Sequence, residues 1–187
     1  MAFLCNTSES REHQEKFIEA LIEHRADGLI LSPVDGTDLN SLKSVFLRKL
    51  PTVMIARYVE GAKLDFIGND GVLAFQMATE HLIKLGHRRI AMIGGGQMTS
   101  VAKNRRAGFF KAMEDNGREV DPSLVIICTT NPSGGEEAIA YILTLKKPPS
   151  AVVCFSDLVA IGVLSGLHRK GLVPGEDLAV VSCDDIE

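Results

Sequence analysis

Residues 69–96 read NDGVLAFQMATEHLIKLGHRRIAMIGGG, and the reading of this stretch decides the fold. Phe75, Ala78, Leu82 and Leu85 recur at three- and four-residue spacing, so they form one apolar stripe if the chain is helical from about Gly71. Gly86 follows, where a helix can end on a left-handed residue without a Cβ clash. Ile90 to Ile93 then make a short apolar run before three glycines, the signature of a buried strand. The unit is a helix followed by a buried strand. Similar alternations lie on both sides, so it marks the junction of two α/β halves.

Toward the amino terminus, Phe3 to Cys5 reads as the remnant of a strand and residues 10–24 as a helix whose stripe is Phe17 or Ile18, Leu21 and Ile22. Asp27-Gly28 turns the chain into an apolar strand, Leu29 to Leu31, closed by Ser32-Pro33. Leu39, Leu42, Val45 and Phe46 mark the next helix, and strands follow at Thr52 to Ile55 and Asp65 to Ile67. Toward the carboxyl terminus, residues 104–116 form a helix with Phe109, Ala112 and Met113 inward, 124–128 a strand, and 135–145 a helix broken by Pro148-Pro149. Residues 151–155 are a strand, 158–167 a helix, and 178–182 a last strand before Asp184-Asp185. Apolar strands separated by helices imply parallel sheets covered on both faces, and right-handed crossovers gather the strand carboxyl ends on one edge.

That edge is where ligands bind in open α/β sheets. Its expected residues are polar: Asn6, Thr7, Ser32, Arg57, Asn69, Asp70, the 94–97 and 129–131 segments, Ser156, Asp157, Asp184 and Asp185. Two such edges facing one another would make a cleft suited to a small, hydroxyl-rich or otherwise polar ligand.

Composition narrows the classes. The chain has 187 residues, 45% of them hydrophobic, enough for a real core in one domain or two small lobes. No apolar run approaches a membrane span, and MAFLCNTSESREH lacks the basic start and apolar segment of a signal peptide, so the expected location is cytoplasmic with no membrane partner. A net charge of −4 argues against a surface built to neutralise phosphates; contact with DNA would need another segment. Cys5, Cys128, Cys154 and Cys183 are widely spaced beside apolar residues, without CxxC or Cys/His metal spacing, and read as buried thiols, the alternative being a redox pair among the last three.

Several residues carry two readings. Asp70 and Asp157 each follow a strand at a helix start, where a carboxylate either caps the helix or meets a ligand. Asp184 and Asp185 are adjacent acids in a loop, either solvated or ligand-facing. Arg105 and Arg106 point about 100° apart on a helix, so at most one faces a cleft comfortably; its guanidinium would offer forked hydrogen bonding to carboxylates or hydroxyls. GGGQMT lacks both the GxxxxGK[ST] and GxGxxG phosphate-binding patterns, and His87-Arg88-Arg89 precedes a strand at the end opposite the ligand edge, as a solvated turn would. No GxSxG or HExxH is present, so there is no nucleophile and base, no metal set and no cofactor motif to name, and no catalytic residue is expected.

Taken together, DGLILSP at 27–33, ATEHLIKLGHRRIAMIGG at 78–95, NRRAGFFKAM at 104–113 and SDLVAIGVLSGLHRKGLVPGEDLAVVSCDDIE at 156–187 resemble the effector-binding core of LacI/GalR-family bacterial transcription regulators over nearly the whole chain. The resemblance implies an incomplete, two-lobed periplasmic-binding-protein-like (type I) α/β fold with parallel sheets, residues 1–89 in an N-terminal lobe and 90–187 in a C-terminal lobe, with a ligand cleft between them. It implies a homodimer whose DNA binding is set by a small effector, sugar-like or purine-like, through lobe movement. By the matching words Arg105, Asp157, Asp184 and Asp70 take ligand-binding positions. Ser156 stands where the family usually has Asn, Gly71 likewise, Ala56 where it has Asp, and Thr130 where some members stack an aromatic ring. An alternative of the same fold is a periplasmic-type sugar-binding protein serving a transporter.

Family members carry a helix-turn-helix, a hinge helix and a first β-α unit ahead of the segment matching Met1, and continue beyond the segment matching Glu187. On this reading operator DNA is reached only through segments outside this chain, and the first lobe lacks a central strand, leaving strand edges and apolar surface exposed. A purified chain of this extent is therefore expected to be poorly stable. Calorimetry should find a low melting temperature rather than a high, cooperative transition.

Overall fold

All four residues of strand β4 (Ile90–Ile93) and all four of β6 (Ala151–Cys154) are buried, and their alternation divides them between two cores. Ala91, Ile93, Val152 and Cys154 face one side, packing with Ala138, Ile139 and Ile142 of helix α5 (Pro132–Ile142) and with Val159, Val163 and Leu167 of α6 (Asp157–Arg169). Ile90, Met92, Ala151 and Val153 face the other, against Phe75 and Leu82 of α3 (Gly71–Lys84) and Phe109 and Met113 of α4 (Ser100–Asp115). Successive side chains of a strand leave opposite faces, so a strand covered on both must be apolar at every position.

The computed structural model describes residues 2–96 and 98–186, which fall into two compact units: residues 1–69 with 98–101, and 70–97 with 102–187. The second unit holds a four-stranded parallel sheet in the order β5-β4-β6-β7, with β5 (Val125–Ile126) and β7 (Ala179–Val181) at its edges. Met92 lies opposite Val125, Ile90 opposite Ala151, and Ala151 opposite Ala179. From β4 the chain runs outward to β5 by way of α4 on one face, then returns past β4 to β6 by way of α5 on the other. The strand order therefore reverses between β4 and β6, where an open α/β sheet leaves a crevice at its carboxyl ends.

The first unit is built from a three-stranded parallel sheet, β1 (Leu29–Leu31), β2 (Thr52–Ile55) and β3 (Asp65–Ile67), in sequential order. Helices α1 (Arg11–Glu23) and α2 (Lys43–Arg48) contribute Ile18 and Val45 to a core with Leu31, Leu42, Leu50 and Met54. Only this face is covered: Ile30 is 72% exposed, and Ile55, Phe66 and Ile67 are exposed too. The expectation of sheets covered on both faces thus holds for the second unit and is corrected for the first, where β1 and β2 bury alternate residues and β3 buries none.

Other expectations shift for local reasons. Phe3 to Cys5 forms no strand, having no partner strand among the described residues, and Cys5 is exposed rather than a buried thiol. Leu85 leaves the apolar stripe because it is the C-cap of α3, past the last turn that packs; Thr79, through a hydroxyl bonded to the Phe75 carbonyl at 2.7 Å, lies in the buried row instead. Helix α4 begins at Ser100, four residues before the expected start, and α5 at Pro132, capped by Asn131, whose Oδ1 accepts from the Gly134 amide at 2.8 Å. Helix α3, which the expected boundary after Arg89 leaves in the first lobe, is grouped with the second unit because Phe75 and Leu82 belong to its core. Among the described residues no helix is long and apolar enough to cross a membrane.

Helices α5 and α6 approach through glycines. A Cβ on Gly162 would lie 1.9 Å from the Pro132 carbonyl oxygen, and one on Gly135 2.1 Å from that of Val159. Backbone cannot yield as a flexible side chain would, so Gly162→Ala must separate the helices over a closely packed core. We expect it to destabilise the second unit by about 3 kcal/mol, read as a fall in the urea midpoint followed by far-ultraviolet circular dichroism.

Candidate functional site

At the switch point the carboxyl ends of β4 and β6 meet Arg105 and Arg106 of α4 and the first turn of α6. Gly94, with φ of 110°, carries the chain out of β4 so close to Phe155 that a Cβ would lie 2.5 Å from the Phe155 Cβ, a position only glycine can take. This approach fixes the Phe155 ring. The Arg105 guanidinium lies with Cζ 4.8 Å from the centroid of that ring and 5.5 Å from the centroid of Phe75. Its nitrogens donate to the Phe155 carbonyl oxygen and, at 2.7 Å, to Asp184 Oδ1. With its side chain only 13% exposed, the cation is partly desolvated, which strengthens both the ring contact and the ion pair. Its neighbour Arg106 turns away, as residues about 100° apart must, and donates to the Gly95 carbonyl at 2.9 Å, holding the glycine loop.

Asp184 reaches Arg105 from a loop with an unusual backbone. Asp184 has φ of 128° and Asp185 φ of 59°, two successive non-glycine residues in the left-handed half of conformational space, at a cost of about 1 kcal/mol or more each. Asp157 meets the same loop: its carboxylate accepts from the Ser182 hydroxyl and, at 2.9 Å, from the Ile186 amide, while its own amide donates to the Cys183 carbonyl at 3.1 Å. The Ser182 and Ile186 donors hold the Asp157 carboxyl below its ordinary range. Asp70 caps α3, with Oδ1 accepting from the Leu73 amide at 2.9 Å, and the adjacent Gly71 packs on Arg105, whose Cγ would lie 3.5 Å from a Cβ there.

Two hydroxyls on this edge lack a hydrogen-bond partner among the described residues. Ser156 is 5% exposed and stands at the N-cap of α6, yet its Oγ makes no capping bond; the Thr130 Oγ1, just past β5, is likewise buried and unpartnered. A buried hydroxyl without a partner is costly. Three cysteines are near this sheet. Burial pushes the Cys154 thiol up to about 12, and raises Cys128 and Cys183, Arg105 offsetting part of the effect at Cys183. All are free thiols, with Cys154 in the core as expected.

The second unit therefore brings together Arg105, Asp184, Asp157 and the Asp70 to Gly71 turn on one edge. Sequence reading missed the two rings that hold Arg105, because Phe75 and Phe155 have the spacing of ordinary core residues; the available signal was that Phe155 directly precedes Ser156-Asp157. On the first unit, Arg57 donates to Glu9 Oε2 at 2.8 Å and to the Pro33 carbonyl at 3.3 Å, and the Asn6 side chain accepts from the Ser8 amide. Glu9 carried no motif. Ser32 is exposed, and Gln97, expected on the ligand edge, lies outside the described residues. Among the described residues no group of His, Cys, Asp and Glu is placed to hold a metal.

The second unit is a parallel α/β sheet with a polar switch-point edge, the architecture of the periplasmic-binding-protein-like class. Residues 1–184 match the family of periplasmic binding proteins and the sugar-binding domain of the LacI family, and the chain belongs to that family. It is 35% identical over 185 residues to the HTH-type transcriptional repressor PurR of Haemophilus influenzae, covering 98% of this chain and 54% of that protein, so the chain spans about half the length of this relative. Among solved structures it is similar to a LacI family transcriptional regulator from Mycobacterium smegmatis, at 29% identity and a TM-score of 0.81, covering 94% of this chain and 64% of that one. A regulatory protein of the LacI family from Chloroflexus aggregans aligns with a TM-score of 0.83 at 26% identity over 92% of this chain and 62% of its own. The expected fold class and the regulator family are thereby established, and these relatives favour the regulator reading over the transporter alternative.

Arg105→Lys keeps the charge but loses the planar stack and the fork, and should lower the stability of the second unit by about 1 kcal/mol. Arg105→Ala also leaves Asp184 without its partner and should cost more. Urea titrations of the two variants measure the order.

Proposed function

We propose that this chain is the effector-sensing part of a LacI-type transcriptional repressor, not an enzyme. A small polar molecule, sugar-like or purine-like, docks on the switch-point edge of the second unit. Arg105 and Asp184 offer it a donor fork and an acceptor. The observation that carries this reading is the Arg105–Asp184 pair on the switch-point edge: a forked donor beside a carboxylate that is 36% exposed recognises a molecule bearing hydroxyls or ring nitrogens and gains nothing from one without them. Asp70 borders the same site beside Gly71.

In the intact protein, the bound effector sets the DNA affinity of a helix-turn-helix segment outside these residues, the type of repressor its Haemophilus influenzae relative is named as. The working form is a homodimer in the cytoplasm, since the two halves of an operator call for two heads. The net charge of −4 fits a part that does not itself grip DNA.

Thermal-shift measurements against a panel of pentoses, hexoses, purine bases and nucleosides test the reading. At least one class should raise the melting temperature of the chain by several degrees, as binding to the native state requires, and the shift should vanish in Arg105→Ala. A panel that leaves the wild type unmoved, or a shift that survives in Arg105→Ala, would sink it.

A further inference from the structure

Asp157 stands at the first position of α6 on the candidate edge, where a ligand role is the obvious assignment. Its hydrogen bonds point elsewhere. One carboxylate oxygen takes the Ser182 hydroxyl and the other the Ile186 amide, so both are engaged by the loop that follows β7. The Asp157 amide donates to the carbonyl of Cys183, within the same loop. Three bonds from one residue thus grip residues 182, 183 and 186, and the two residues enclosed between the grips, Asp184 and Asp185, are those with φ of 128° and 59°.

Local preference accounts for only part of that backbone: aspartate tolerates the φ of 59° at Asp185, but the φ of 128° at Asp184 lies outside the left-handed helical region that aspartate visits. Neither residue is glycine, and left-handed conformations in non-glycine residues persist only where the surroundings over-determine them. The conformation has one evident product: Asp184 Oδ1 is delivered to 2.7 Å from Arg105. Arg105 alone cannot impose it, being itself fixed by the Phe75 and Phe155 rings and the Phe155 carbonyl, so it offers one point of attachment outside the loop.

We propose that Asp157 is a positioning residue rather than a ligand contact: it clamps residues 182–186 in a strained conformation and thereby holds Asp184 against Arg105. The inference deepens the proposed function by saying how the Arg105 and Asp184 pair is kept in place, and it can be tested without any ligand. The clamp joins α6 to the loop after β7, so a molecule that draws Asp184 away from Arg105 loads the same bonds that end on the first turn of α6.

Hydrogen exchange by mass spectrometry on the purified chain at low temperature, resolved to the peptides covering 182–186 and to those of β4 and β6, tests the clamp. Asp157→Ala should speed exchange in 182–186 at least tenfold and leave β4 and β6 unchanged. Ser182→Ala, which removes a single bond and threatens the fold least, should give an intermediate rise, as should Asp157→Asn, which keeps one acceptor oxygen. Iodoacetamide labelling of Cys183 should quicken in the same order, while Cys5, already exposed, labels as before. Urea titrations of Asp157→Ala, Asp184→Ala and the double variant should be non-additive, since the second change removes what the first positions. Unchanged exchange in 182–186, a parallel rise across β4 and β6, or strictly additive effects would each overturn the proposal, the last two marking Asp157 as an ordinary stability residue. Failure of the ligand panel would leave these outcomes untouched, so the clamp and the proposed function stand or fall separately.

Discussion

The second unit depends on the burial of β4 and β6 on both faces. Eight consecutive-pair positions, all apolar and all buried, demand cover from two sides, and two helices per side supply it: α3 and α4 for Ile90, Met92, Ala151 and Val153, α5 and α6 for Ala91, Ile93, Val152 and Cys154. A chain that places successive crossovers on opposite faces must reverse its direction across the sheet if every crossover is right-handed. The reversal opens the crevice between the ends of β4 and β6. The candidate site is a geometric consequence of covering two strands twice.

What fills that crevice follows from close approach. Gly94 lets the chain leave β4 in contact with Phe155, the ring so held presents a face to Arg105, and the guanidinium over it is oriented toward Asp184. Each link is short-range and each needs the one before. Partial desolvation makes the pair strong, yet Asp184 keeps enough exposure to exchange partners. A fully buried pair would lock the site, and a fully solvated one would be worth little. On the sheet face opposite α4, glycines at the α5 and α6 crossing bring two backbones into contact.

The first unit follows the same chain logic with half the cover. Strands β1 and β2 bury alternate residues against α1 and α2, β3 buries none, and Ile30, Ile55 and Ile67 remain outside. Burial on one face asks only for alternation, but these strands carry apolar residues on both, which is why the sequence read them as doubly covered. Periodicity reports what a residue could bury, not what stands opposite it.

Much of the architecture was legible in local patterns. The strand at Ile90 to Ile93, the helix from Gly71, and the parallel alternation on either side follow from spacing, because a buried strand and an amphipathic helix each impose a period on the residues they use. The identities of Arg105, Asp157, Asp184 and Asp70 as residues of one edge were likewise within reach, since parallel topology sends every strand's carboxyl end the same way. Helix starts at Ser100 and Pro132 were misplaced because capping depends on single hydrogen bonds, such as the one from Gly134 to Asn131, that no periodicity records. Only the tertiary structure could decide the partners: that Phe75 and Phe155 flank Arg105, that Asp157 holds the loop after β7, and that Asp184 and Asp185 adopt left-handed backbone. Those facts join residues 25 to 79 positions apart, and the energy that selects them comes from contacts across the fold more than from preferences carried by the local chain.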